Sequence, residues 1–156
     1  MSRSGAELAR LLLGSYRKLV DGALAELAAR GHEDVRPVHE FTMQAIAAGA
    51  TTASEVSRRM SVSKQAAAKT IANLRERGYV TSAADPEDPR RNRIAVTDLG
   101  FEMMREGEAV FDDLRAEWER QLGPAELALL ESQLTAFVGD SAVRLQEPGW
   151  ASQVAG

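Results

Sequence analysis

The chain has 156 residues, a formal net charge of −4 and a pI near 5.3, a length that argues for one domain with a core of its own. It has no cysteine, which excludes disulfides, thiolate metal sites, a cysteine nucleophile and thiol-based redox sensing. No apolar run approaches the roughly 18 residues that span a bilayer, no signal-peptide pattern is present, and the expected compartment is the cytoplasm; the overall acidity, taken whole, speaks against a polyanionic partner.

Leu8, Leu11, Leu12, Leu19, Val20, Ala23, Leu24 and Leu27 fall at mixed three- and four-residue spacings and predict a long helix over 6–30, capped by Gly31. Pro37 opens a second helix, 37–48, with Val38, Phe41, Met43, Ala45 and Ile46 inward and Gly49 at its close. A short third helix, 52–60, starts on a capping box of Thr52 and Glu55. A fourth, 63–77, has Ser63 as N-cap, Gly78 as stop and Ala67, Ile71 and Leu74 inward. Residues 79–81 and 93–96 read as strands, and the turn-rich, charged stretch 84–92 between them makes a hairpin with a long tip. Thr97 caps a long helix, 98–121, carrying Leu99, Met103, Val110, Phe111, Leu114, Trp118 and Leu122; Gly123-Pro124 breaks it and starts a last helix, 124–138, with Leu127, Leu130, Leu134 and Phe137 as its stripe. Residues 139–156 read as a loose polar tail in which Trp150 is an isolated apolar residue. The fold class is mainly α (α+β), in one domain.

The charge is not uniform along this order. Residues 1–50 are neutral overall, residues 51–97 hold nine basic and five acidic side chains, and residues 98–156 carry a net −8. The basic third is the one ordered helix, short turn, helix, hairpin. Such a helix-turn-helix lays its second helix in the major groove of DNA and presents its N-terminal residues to base edges. Here these are Ser63, Lys64, Gln65 and, one turn on, Lys69; Gln bonds adenine, Ser serves several bases and Lys reads guanine or phosphate. The alternative is a helix-turn-helix used for packing alone, with both lysines solvated. Arg90, Arg91 and Arg93 on the far side of the hairpin suit the negative potential of a narrow minor groove, and Asp88 is placed to fix a guanidinium by a charge-assisted bond.

His32 and His39, near Glu33, Asp34 and Glu40, are seven residues apart, a spacing that does not set both rings on one helical face as i, i+4 does. No metal and no cofactor is expected. Neither a nucleophile–base–orienter set nor a Gly-rich phosphate loop is present, so no catalytic residues are assigned and an enzyme is not expected.

The run Ser61-Val-Ser-Lys-Gln-Ala-Ala-Ala-Lys-Thr-Ile71, then Leu74-Arg-Glu-Arg-Gly-Tyr-Val80, Asp85-Pro-Glu-Asp-Pro-Arg-Arg91 and Ile94-Ala-Val-Thr97 with Gly100 resembles the MarR family of winged-helix transcriptional regulators. The resemblance implies a winged helix-turn-helix lobe at 37–97, dimerisation helices at 6–36 and 98–138, and a homodimer bound to a pseudopalindromic duplex. It implies a repressor released by a small, often aromatic or phenolic, ligand. In its terms Ser61, Ser63, Lys64, Gln65 and Lys69 with Arg90, Arg91 and Arg93 form the DNA-binding set, and Asp88 orients the wing arginine Arg90. Pro89 departs from the pattern, because it stands where a second arginine is common. The zinc-sensing relatives use histidines from the fifth helix, and this chain has none there.

The three long helices also carry more apolar length than a small winged domain covers, which argues for a two-fold dimer with its recognition helices about 34 Å, or a multiple, apart. A ligand pocket in relatives lies between the dimer helices and the DNA-binding lobe. Tyr16, His39, Phe41 and Met43 are the candidates to line one here, against the alternative that they are core and hinge residues. A second functional reading, drawn from the overall acidity and the missing wing arginine, is a protein–protein module such as an adaptor or antirepressor.

Overall fold

A computed structural model describes residues 4–139; the expected tail, Trp150 included, lies outside the described residues from 140 on. The elements run α1 (Gly5–Ala29), α2 (Pro37–Ala47), α3 (Ala53–Met60), α4 (Lys64–Glu76), β1 (Val80–Ala84), β2 (Asn92–Val96), α5 (Asp98–Leu122) and α6 (Pro124–Val138). Short polar side chains start four of the six helices: Ser4, Thr52, Ser63 and Thr97 each accept the backbone N–H three residues on. The Glu55 carboxylate closes the other half of its box on the Thr51 N–H at 2.6 Å, and that bond holds its pKa below the ordinary carboxylate value.

One hydrophobic cluster joins the winged lobe to the long helices. It takes Ala23 and Leu27 from α1, Met43, Ala45 and Ile46 from α2, Val56 and Met60 from α3, and Ala67, Ile71 and Leu74 from α4, with Tyr79, Val80, Ile94, Met103 and Val110. Only the C-terminal part of α1 enters it. Leu8, Leu11, Leu12, Leu13 and Tyr16 stay exposed, so the single inward face expected of this helix divides in two. On α6 Leu127 alone of the predicted stripe is buried, while Leu134 and Phe137 face outward.

The strands pair antiparallel with Val80 opposite Val96 and Ala84 opposite Asn92. β1 therefore runs past the expected 79–81: Ser82, Ala83 and Ala84 have little strand propensity of their own, and the ladder with β2 carries them. The Ile94 N–H donates to the Thr51 carbonyl at 2.8 Å, tying the wing to the turn before α3. At the wing's base the Thr97 N–H donates to the Tyr79 carbonyl at 3.0 Å, and the Thr97 hydroxyl donates to the Gly78 carbonyl.

Candidate nucleic-acid interface

The turn between α3 and α4 is tight because Ser61 takes a left-handed conformation, φ 49°, and the Val62 N–H reaches back to the Ser57 carbonyl at 3.1 Å. That brings Ser63 to the head of α4, where its hydroxyl accepts the Ala66 N–H at 3.0 Å. Ser63 thus shapes the start of the helix as well as standing at its tip. Buried Ala67, Ile71 and Leu74 fix the rotation of α4. Gln65, Lys69, Ala72 and Glu76 then share the opposite, exposed face, with Lys64 and Asn73 at its flanks. Three polar or basic side chains in the first two turns, Lys64, Gln65 and Lys69, no bulky apolar neighbour and a basic Arg58 exposed on α3 make a surface that can enter a groove and pair with base edges and phosphates. Asn73 was not among the residues expected here; its spacing of four from Lys69 was the available signal.

The wing tip is closed by its own backbone. The Asp85 N–H donates to the Arg91 carbonyl at 2.8 Å and the Arg91 N–H to the Asp88 carbonyl at 2.9 Å. Asp88 is the hub: its carboxylate accepts the Arg90 N–H at 3.1 Å, lies 3.4 Å from Arg90 Nε and 3.7 Å from Arg91 Nε. Both guanidiniums therefore stand on one acid, although Pro89 separates Asp88 from Arg90. Arg90 is 93% exposed, the posture of a side chain that projects from the tip. Arg93 is exposed on β2, opposite Ala83.

Two of the nine basic residues counted in the middle third serve the fold instead. Arg59 donates to the carbonyls of Ala45 and Ala48 at 3.3 and 2.9 Å, closing the C-terminus of α2. Arg77 donates to the carbonyls of Glu33 and Asp34 at 2.8 and 3.1 Å, and so clamps the α1–α2 linker to the end of α4. The charge pattern could not distinguish these from reading residues, since their acceptors are main-chain oxygens.

The two histidines are held apart in separate roles. His32 Nδ1 is 2.8 Å from the buried Tyr79 hydroxyl and its Nε2 is 3.6 Å from Glu106. His39 accepts the Arg36 N–H on Nδ1 at 3.0 Å, and burial, reinforced by Arg77, lowers its pKa. Among the described residues no three His, Asp or Glu side chains gather as a metal site would require.

The four residues expected around a pocket are likewise divided. Tyr16 and Phe41 line a 180 Å³ cavity between α1, α2 and α5. His39 lies on the other side of α2, beside a 430 Å³ cleft against α3 and α4. Met43 is fully buried in the core and lines neither. The 180 Å³ cavity adds Phe111 and Glu40, which the sequence reading names but does not place at a pocket. Pro37, Glu40, Phe41 and Gln44 share three- and four-residue spacings on α2, and that periodicity would have set Glu40 beside Phe41.

Two long terminal helical arms on a helix-turn-helix with a two-stranded wing define a winged helix-turn-helix protein. Residues 42–91 match the model of the MarR family, and the chain as a whole has a winged-helix fold shared with solved structures. Among solved structures it is similar to YusO from Bacillus subtilis, with a TM-score of 0.66 at 21% identity over 90% of this chain and 100% of that one. It is similar to MarR from E. coli, with a TM-score of 0.63 at 20% identity over 89% and 100% of the two chains. A mutant of MepR from S. aureus bound to an oligodeoxyribonucleotide gives 0.62 at 16% identity over 88% and 97%. No curated protein matches the sequence. No described helix is long and apolar enough to cross a membrane.

Proposed function

We propose that the chain is a homodimeric, sequence-specific DNA-binding repressor of the cytoplasm, released from a pseudopalindromic operator by a small ligand. The observation that carries this reading is the pairing of an exposed polar and basic first turn on α4 with a wing tip whose Arg90 and Arg91 are anchored by Asp88. In this reading Lys64, Gln65 and Lys69 meet the major groove, with Ser61 and Ser63 shaping the approach. Arg90 and Arg91 enter the adjacent minor groove and Arg93 follows the backbone. MepR in complex with an oligodeoxyribonucleotide supports the same use of the fold.

The dimer is supported by the apolar side chains left outside the core on α1 and α6, with Phe137 82% exposed and Leu8 54% exposed. Patches of this kind mark interfaces. Helices 6–36 and 98–138 form the pairing arm and 37–97 the reading lobe of one domain. The acidic α5 and α6 then keep the far side of the dimer off the phosphates. The ligand sits between arm and lobe, in the cavity that Tyr16 and Phe41 both line.

Selection of bound duplexes from a random library tests this. The expected product is an inverted repeat bound with a steep salt dependence. Gln65→Ala should change which base is preferred at one position in each half-site, at about 1–3 kcal/mol per lost bidentate contact. A purified dimer with no salt-sensitive affinity for any duplex, but one stoichiometric protein partner, would replace this reading by that of a protein–protein module.

A further inference from the structure

The cavity between α1, α2 and α5 has a chemistry that the DNA-facing surface does not use. Its volume is 180 Å³. An apolar cavity of about 150 Å³ accepts benzene, whereas pockets for drug-sized ligands run to about 300–1,000 Å³. One ring with a compact head group is therefore the ligand size that fits. Three rings line the space, Tyr16, Phe41 and Phe111, with Val20 and Leu24 beside them. Among the described residues Glu40 is the one charged residue of the lining.

Among the described residues nothing cationic offsets that carboxylate. Its hydrogen-bond neighbour is the neutral Gln44 amide, at 3.5 Å, and the charge that acts on it is Glu108 of α5, which has the same sign. Burial and Glu108 together push the Glu40 pKa up. A carboxylate held among apolar and aromatic groups without a cation is an unfavourable arrangement that a ligand cation would relieve.

We propose that this cavity binds a single-ring organic monocation, its cationic head at Glu40 and its ring among Tyr16, Phe41 and Phe111. The aromatic faces attract the same charge as the carboxylate does. An aromatic acid in the same place would meet Glu40 with like charge and no compensating base. The site rests on the ligand-responsive reading above and sets the sign of the ligand's charge, opposite to that of an aromatic acid or phenolate.

The test is calorimetric titration of the full chain with benzyltrimethylammonium, benzyl alcohol and phenylacetate. The cation should bind at least about tenfold more tightly than the other two, a difference of about 1.4 kcal/mol. Glu40→Gln should remove that preference while changing benzyl alcohol by less than about twofold, and Glu40→Asp should keep the cation preferred. Absence of cation binding, phenylacetate binding as tightly as the cation, or a preference that survives in Glu40→Gln would each overturn the assignment. If Glu40→Gln does not fold, the ranking of the three probes on the unaltered chain decides alone. Anisotropy on a selected duplex with the same preparation separates the two levels: loss of duplex binding refutes the regulator, and loss of the cation preference refutes only the site.

Discussion

Replacing Gly100 by alanine is the sharpest test of how the wing is joined to α5. Gly100 is buried in the first turn of α5. A Cβ there would stand 2.2 Å from the Tyr79 carbonyl oxygen, 2.7 Å from Val96 Cγ1 and 3.1 Å from the Tyr79 carbonyl carbon. Carbon contacts settle at about 3.5–4.0 Å, so a displacement on the order of 1 Å is required. The nearest obstacle is main chain and cannot rotate away. The Tyr79 carbonyl is also the acceptor of the Thr97 N–H, and Thr97 caps the Gly100 N–H at 3.1 Å. Moving α5 away thus loosens both bonds. Overpacking costs about 1–3 kcal/mol and loss of a cap about 0.5–2 kcal/mol, which together centre near 3 kcal/mol. For a chain of this length each kcal/mol moves Tm by about 2–4 °C, so Gly100→Ala should lower Tm by roughly 6–12 °C. Circular-dichroism melts at one fixed protein concentration measure it. Gly5→Ala, where nothing lies within 4 Å of the new Cβ, is the control. A Gly100→Ala melt within about 2 °C of that control would refute the reasoning.

Arg90→Ala should reduce the slope of log affinity against log salt by about 0.9 if the arginine neutralises one phosphate; anisotropy titrations at several salt concentrations read this, and an unchanged slope shows that Arg90 touches none. Phe137→Asp places a charge on the most exposed large apolar side chain of α6 and should weaken dimerisation by about 2 kcal/mol or more. Sedimentation velocity at micromolar concentration reads the mass, and an undisturbed dimer would exclude Phe137 from the interface. The raised pKa of Glu40 also links stability to pH. The folded state holds the proton more tightly, so the stabilisation is fully present below the ordinary value of 4.5 and is lost as pH rises through the raised one. Glu40→Gln, neutral at every pH, should therefore melt above the parent chain at about pH 7 and level with it near pH 4. A gain that does not change with pH would remove the carboxylate charge as its cause.

The helices were legible because their signals are local. Ser63, Thr52 and Thr97 cap the N–H three residues on, and Gly31, Gly49 and Gly78 take positive φ at the stops. The division of α1 was not legible, since periodicity reports that Leu12 and Leu27 are apolar but not which surface each meets. Ser82 to Ala84 lack strand propensity and depend on partners across the ladder. The wing motif was readable as a pattern, and its geometry supplies the reason: Thr97 binds back to residues 78 and 79, and only a glycine fits where α5 crosses them. For the site, the outward face of α4 followed from three buried positions. Membership of the cavity did not, because it joins three elements through Tyr16, Glu40 and Phe111, far apart in sequence.

The clamp of Arg77 on the Glu33 and Asp34 carbonyls ties the C-terminal end of α4 to the α1–α2 linker. Val35 and Pro37, immediately beyond those carbonyls, form one wall of the 180 Å³ cavity. With 13 residues at 1.5 Å each, α4 is a lever of about 20 Å. A tilt of about 5° at the clamp swings its far end, where Lys64 and Gln65 stand, through about 1.7 Å. A hydrogen bond to a base edge tolerates a few tenths of an ångström. In the proposed DNA-bound regulator, a wall movement that tilted α4 by this much would produce a misfit at the tip.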